Sequence, residues 1–166
     1  MSTPRDAEVP RIPELVGATS SPFRLHGPLM NVSLAVEEPS GPASRRAAEL
    51  ANWAPRRVFL NIEKMLSENG APPVYVYLNL PPLDSPAAHP ELFAGELPMF
   101  GLREASVSDA SHTPTGLYEQ LDITALYARL ALMKDWDPRN LRITFAPRYG
   151  GNLPPLHIDR VSLYFA

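Results

Sequence analysis

Val74–Leu80 reads VYVYLNL, and the reading of this stretch decides the fold. Val74, Val76 and Leu78 share one side of a two-residue period, with Tyr75 and Tyr77 on the other. β-Branched and aromatic side chains in that alternation suit a half-buried pleated strand. The same pattern recurs on either side. Asn31–Val36 puts Val32, Leu34 and Val36 on one face, and Val58–Ile62 does so with Val58, Leu60 and Ile62. Downstream, Leu141, Ile143 and Phe145 share a face, as do Val161, Leu163 and Phe165, and Glu91–Leu97 reads as one more strand. The offset between Ile158 and Val161 breaks the period and predicts a bulge near Asp159–Arg160. Asn-Gly turn chemistry in Ser67-Glu68-Asn69-Gly70 predicts a hairpin with the strand Val74–Leu78.

Only one segment carries a convincing helical period. Ile123, Leu126, Leu130 and Met133 recur at helical spacing, Asp122 is placed to cap the first turn, and Asp137-Pro138 stops it. Gly101–Gly116 reads as polar and irregular. Proline accounts for 20 of the 166 residues, more than twice the usual ~5%. Because proline lacks a ladder donor, it gathers at turns, edges and strand ends. The expected fold is therefore all-β: an antiparallel β-sandwich, jelly-roll-like, of about seven or eight strands with one short α-helix crossing an end. Residues 1–14 read as a flexible tail or linker, and 15–166 as a single domain with a mobile link near 37–55.

Composition removes several function classes. The net charge is −3 with both signs interspersed, and no basic stripe exists to displace phosphate counterions, so nucleic acid is not an expected partner. Arg45-Arg46 and Arg56-Arg57 are the only basic doublets. The chain has no cysteine, which excludes disulfides, thiolate metal sites and thiol nucleophiles together. No apolar run approaches the ~20 residues that span a bilayer, and MSTPRDAEVPRIPEL lacks the layout of a signal peptide. The expectation is a soluble, cytoplasmic protein without a membrane partner.

Catalytic signatures are missing too. His26, His89, His112 and His157 are scattered, with no H-x-x-x-H pair to set two imidazoles on one helix face. No G-x-S-x-G elbow occurs. Asp84, Glu91, Glu96, Glu104 and Asp109 lie in polar segments around the central strands and read as solvated charges. No catalytic residue and no metal ligand is assigned.

Five motifs occur in a telling order: VYVYLNL, then FAGE at Phe93–Glu96, LDITALY at Leu121–Tyr127, ITFAPRYG at Ile143–Gly150 and IDRVSLYF at Ile158–Phe165. The set resembles the C-terminal domain of plant polyphenol oxidases and related bacterial tyrosinases, which is often named after its Lys-Phe-Asp-Val motif. The resemblance covers roughly residues 58–166 and extends to Leu15–Val36. Two departures stand out: Val74-Tyr75-Val76 replaces Lys-Phe-Asp, and Glu96 replaces the serine after F-A-G. In that family the domain is a lid over a type 3 copper centre, not the catalyst. The resemblance therefore implies a non-catalytic shielding domain whose partner is a tyrosinase-like copper core, in the same polypeptide or a separate chain. Copper would belong to that core, and no cofactor to this chain.

A lid needs a bulky side chain on a short rigid loop. Met99 and Phe100 in the run LPMFGL, just past a strand end, are candidates, and the alternative is that they close the open end of this sandwich. Tyr149 in the PRYGG turn is a further candidate, with Leu29-Met30 behind it. Two other readings stay open on the residues alone. One is a stand-alone ligand- or protein-binding sandwich with Tyr75, Tyr77 and Phe100 as contacts. The other is an enzyme using His112, His157 or loop carboxylates, which requires two such groups within hydrogen-bond reach in a pocket.

Overall fold

The computed structural model describes residues 12–37 and 57–166. Residues 1–11 of the expected tail and all of the expected link except Glu37 lie outside the described residues, whereas Glu14 already belongs to a strand. Nine strands follow in chain order: β1 (Glu14–Ala18), β2 (Phe23–Arg24), β3 (Met30–Val36), β4 (Val58–Leu66), β5 (Val74–Leu78), β6 (Phe93–Leu97), β7 (Leu117–Asp122), β8 (Asn140–Pro147) and β9 (His157–Phe165). Two short helices, α1 (Leu102–Ser106) and α2 (Thr124–Leu130), complete the described elements with two 3-10 turns.

Every strand pair is antiparallel, in the order β6-β5-β8-β3-β1-β9-β4-β7, with β2 added to β9. The fold class is as the sequence predicts. Two four-stranded halves, β6-β5-β8-β3 and β1-β9-β4-β7, meet at a short join where β1 and β3 pair only through Gly17↔Val36 and Ala18↔Ala35. Glycine is required at this corner, because a Cβ on Gly17 would lie 2.5 Å from the Ala35 carbonyl oxygen. At the other extreme the ends of the path approach each other, with Gly95 of β6 against Leu121 of β7. The sheet is thus nearly closed around one core. Leu34, Leu60, Ile62, Leu78, Ile143, Phe145, Val161 and Leu163 are buried in it, the alternating positions of the sequence.

Three expectations are corrected. The Ser67–Gly70 turn forms, closed by the Gly70 N–H on the Ser67 carbonyl at 3.1 Å, but it does not make a hairpin. β4 pairs with β7 and β9, whereas β5 pairs with β6 and β8. A turn reverses the chain locally, and the core chooses the partners. The bulge expected at Asp159–Arg160 is also elsewhere. The β4–β9 register runs unshifted from Val58↔Phe165 to Leu66↔His157, and the irregularity falls between Ile62 and Met65 where β4 meets β7. Lys64 there has φ 50. Both strands change inward face together, Ile62 with Val161 and then Met65 with Ile158. Third, Gly101–Gly116 contains α1, a single turn of helix that the polar sequence hid.

The predicted helix is shorter than its apolar period, ending at Leu130 rather than near Met133. The cap position falls on Ile123 rather than Asp122 and carries no side-chain cap. From one residue earlier the Asp122 carboxylate accepts the Thr124 N–H at 3.1 Å, the Thr124 hydroxyl at 2.6 Å and the Arg57 guanidinium at 2.6 Å. The Thr124 hydroxyl oxygen in turn accepts the Val58 N–H, which ties α2 to the start of β4. This set of donors holds the Asp122 carboxyl down at about 2, the Thr124 hydroxyl contributing most and Arg57 next.

Candidate functional site

Val74 pairs with both Leu97 and Pro147, so the chains leaving β6 and β8 emerge at the same end of the sandwich. Phe100 follows β6 there, and Tyr149 follows β8. The two residues of the LPMFGL run part company. Met99 is buried and belongs to the core, whereas Phe100 is 86% exposed. The expectation of Met99 as an exposed contact is therefore corrected. Met99 turns inward at φ 65, Gly101 reverses the chain at φ 74, and Leu102 is buried again at the start of α1. The Leu102 N–H donates to the Met99 carbonyl at 3.3 Å and the Ala105 N–H to that of Gly101 at 2.9 Å. α1 is fastened in turn by Ser106, whose hydroxyl donates to the Leu102 carbonyl and accepts the Ser67 N–H at 2.8 Å. Phe100 thus stands on a tip anchored on both sides.

Tyr149 is 73% exposed. The Arg148 guanidinium lies 5.2 Å from its ring centroid and 6.0 Å from that of Tyr75, and donates to Glu96 at 3.0 Å. This arrangement steers Tyr149 by a cation–π contact rather than by packing. Leu29 and Met30 are half-buried against the core.

The aromatic side of β5 is less open than its alternation suggests. Phe93 sits edge-on to both Tyr75 and Tyr77, with centroids 5.1 and 5.5 Å away. A register shift between Val76 and Tyr77 brings Phe93 opposite Tyr77. Tyr77 is left only 7% exposed, and burial, with a lesser effect from Tyr75, pushes its hydroxyl proton affinity up. Tyr77 is therefore corrected from a ligand contact to a core residue, and Tyr75 is half-exposed beside it.

The histidines do not assemble a reaction centre. His112 Nδ1 lies 3.0 Å from both Asp109 and the Ser111 hydroxyl, all within one exposed turn. A carboxylate only accepts, so Nδ1 donates to Asp109 and is no base for Ser111. His157 approaches Asp159 at 3.9 Å, and His26 is exposed. His89 is gripped by Asp84 and Glu91 on the β5–β6 loop. Among the described residues no group of three His, Cys, Asp or Glu side chains could hold a metal ion, and no helix is long and apolar enough to cross a membrane. An open groove of about 430 Å³ runs over the outer side of β4, β7 and β9, lined by Asn61, Glu63, Tyr118, Gln120 and Tyr164 among others. Glu63 there is satisfied by Arg160 at 2.9 and 3.1 Å and by the Ser162 hydroxyl. Sequence reasoning missed Leu83, the tip of the β5–β6 loop, which is fully exposed at φ 70. Only its setting between prolines hinted at a turn.

The nearly closed antiparallel sandwich carries the five motifs in order, and its similarities make it a tyrosinase C-terminal-like domain. The chain belongs to the family described as a domain of unknown function, DUF7868, whose sequence profile matches residues 12–166. It is 27% identical over 165 residues to tyrosinase HcTyr1 of Hahella sp. (strain CCB-MM4), a match that takes in 98% of this chain and 34% of that protein. The chain therefore spans about a third of its relative. Among solved structures, latent apple tyrosinase superposes with a TM-score of 0.51 at 18% identity, covering 87% of this chain and 28% of the other. Latent aurone synthase, a polyphenol oxidase from a natural source, gives 0.52 at 14% identity over 89% and 26%. At those identities the two structures establish the shared fold.

Proposed function

We propose that this chain is the non-catalytic shielding domain of a tyrosinase-like type 3 copper oxidase, and that Phe100 is the side chain that fills the substrate mouth of the copper core. The observation that carries the reading is the Phe100 tip: a large ring, 86% exposed, between two buried anchors, Met99 and Leu102. A backbone anchored this way has little freedom left to lose on docking, so the ring's burial converts efficiently into affinity. Similarity to a tyrosinase over 34% of that protein's length supports the assignment of the remaining chemistry to a partner domain. That partner would own the copper pair, which supplies the oxidation of diphenols. This chain would exclude phenols sterically, with Tyr149 at the same end as a secondary contact. An interface of ordinary size, about 1,600 Å² in total, suffices to hold a lid closed.

The test is diphenol oxidation by a copper-loaded tyrosinase core lacking this domain, titrated with the purified chain. Dose-dependent inhibition is expected. Phe100→Ala should weaken it by about thirtyfold, the scale of a buried aromatic anchor, and Tyr149→Ala by less. Neither inhibition nor binding to the core would overturn the reading.

A further inference from the structure

The loop joining β5 to β6 is pinned at both ends by buried Leu80 and Leu92. Between these pins the Asp84 N–H donates to the Pro81 carbonyl at 3.2 Å, closing the turn that carries Leu83. Two 3-10 turns follow, Pro86–Ala88 and Pro90–Leu92, with His89 between them. Leu83 has no packing partner to account for φ 70, a conformation that bulky side chains avoid and that persists only when its surroundings enforce it. The Pro81–Asp84 turn, with Pro82 at its second position, sets that conformation, and His89 ties the turn to the rest of the loop. Its Nε2 lies 2.7 Å from Asp84 and its Nδ1 2.9 Å from Glu91. The other charged group at this place is Arg129 of α2, which donates to the Glu91 carbonyl oxygen at 3.1 Å.

We propose that His89 is a proton-operated clasp, closing the Leu83 turn onto the 3-10 turns when protonated and releasing it when neutral. Carboxylates only accept hydrogen bonds, so both contacts together require hydrogen on both ring nitrogens, the imidazolium. Removing the proton leaves one nitrogen lone pair facing a carboxylate oxygen at under 3 Å, and one side must open. The Asp84 contact spans five residues and holds the Leu83 turn against the 3-10 turns, so its loss uncouples the turn from them. The bonds from Glu91 first, and then Asp84, hold the imidazole proton more tightly than usual against a smaller opposing effect of burial. The sign follows directly. The clasp is fully closed below the ordinary histidine value of 6.5 and opens as pH rises through the raised folded value. It goes beyond the shielding role and stands or falls independently of it.

The experiment is an NMR titration of the His89 ring together with amide protection factors for residues 80–92 at pH 6 and pH 8.5. Protection in the loop should fall about tenfold as His89 loses its proton, the scale of one charge-assisted hydrogen bond. Asp84→Asn and Glu91→Gln should each make His89 titrate at a lower pH. His89→Gln should show the open-loop protection at both pH values. A His89 that titrates at or below the ordinary value overturns the proposal, as does loop protection indifferent to pH. If His89→Gln fails to fold, the Asp84→Asn titration decides alone.

Discussion

The Leu121 isobutyl group occupies the space that a side chain at Gly95 would need. A Cβ built on Gly95 would sit 2.8 Å from Leu121 Cδ2 and 3.3 Å from its Cδ1. At this contact the two ends of the strand path, β6 and β7, come together without a ladder between them. Gly95→Ala should force the seam apart, costing about 1–3 kcal/mol and lowering Tm by roughly 2–10 °C. A thermal melt unchanged from wild type would show that the seam does not depend on the close approach.

Glu119 tests the same seam electrostatically. It lies on the inward side of β7 with Leu117 and Leu121, opposite buried Ile62, and burial raises its proton affinity. A carboxyl raised in this way favours folding while protonated and opposes it once charged, so its cost appears as pH rises through the folded value. Glu119→Gln should therefore melt higher than wild type at pH 7 and no higher at pH 3.5. Inward charges guard open sheet edges against pairing with other chains, so the variant should also self-associate more readily in size-exclusion chromatography.

Asp122 works in the opposite direction. Its carboxyl is held at about 2 against an ordinary 3.8, so its stabilising effect is complete above the ordinary value and is lost as pH falls from about 4 to 2. The side chains of Arg57 and Asp122 are 61% and 44% exposed, and solvent screening keeps the effect small. Asp122→Asn should melt below wild type at pH 6, with the gap closing by pH 2. A gap that is constant with pH would assign the effect to geometry rather than charge.

Met99 and Phe100 separate stability from docking. Met99→Ala should cost about 2–5 kcal/mol, as truncation of a buried side chain does. Phe100→Ala should leave the chemical denaturation midpoint within about 0.5 kcal/mol of wild type while weakening inhibition of a copper core. A strongly destabilised Phe100→Ala would make the ring part of this domain's own core.

These neighbours also show what a sequence does and does not say. Period-two alternation identified β3, β4, β5, β8 and β9 and the burial of Leu60, Ile143 and Leu163, because a pleat allows only two directions for a side chain, but β1, β2 and β7 went unread. Strand partners were less legible. Asn69-Gly70 announces a turn, yet β4 finds its long partner β9 at the far end of the chain, Leu60 opposite Leu163, and no local signal encodes that choice. The LPMFGL run could be located but not oriented, since Met99 and Phe100 are both large and apolar and the left-handed conformation at Met99 accompanies its turn inward. The Tyr77 assignment failed for a similar reason: one register shift lays Phe93 over it. The His89 clasp was illegible because Asp84 and Glu91 read as solvated loop charges until the 3-10 turns fold them around the ring.

β9 has a consequence for the order of events during synthesis. It pairs with β1, β2 and β4, so β1 and β4 meet only through a strand made more than ninety residues after β4 begins. A ribosome that has not yet extruded residues 157–165 carries one half of this sandwich with its ladder partners missing and its apolar faces bare. Nascent chains arrested with Val161 still inside the ribosomal tunnel should be cut readily by protease, and chains tethered so that Phe165 has cleared it should resist.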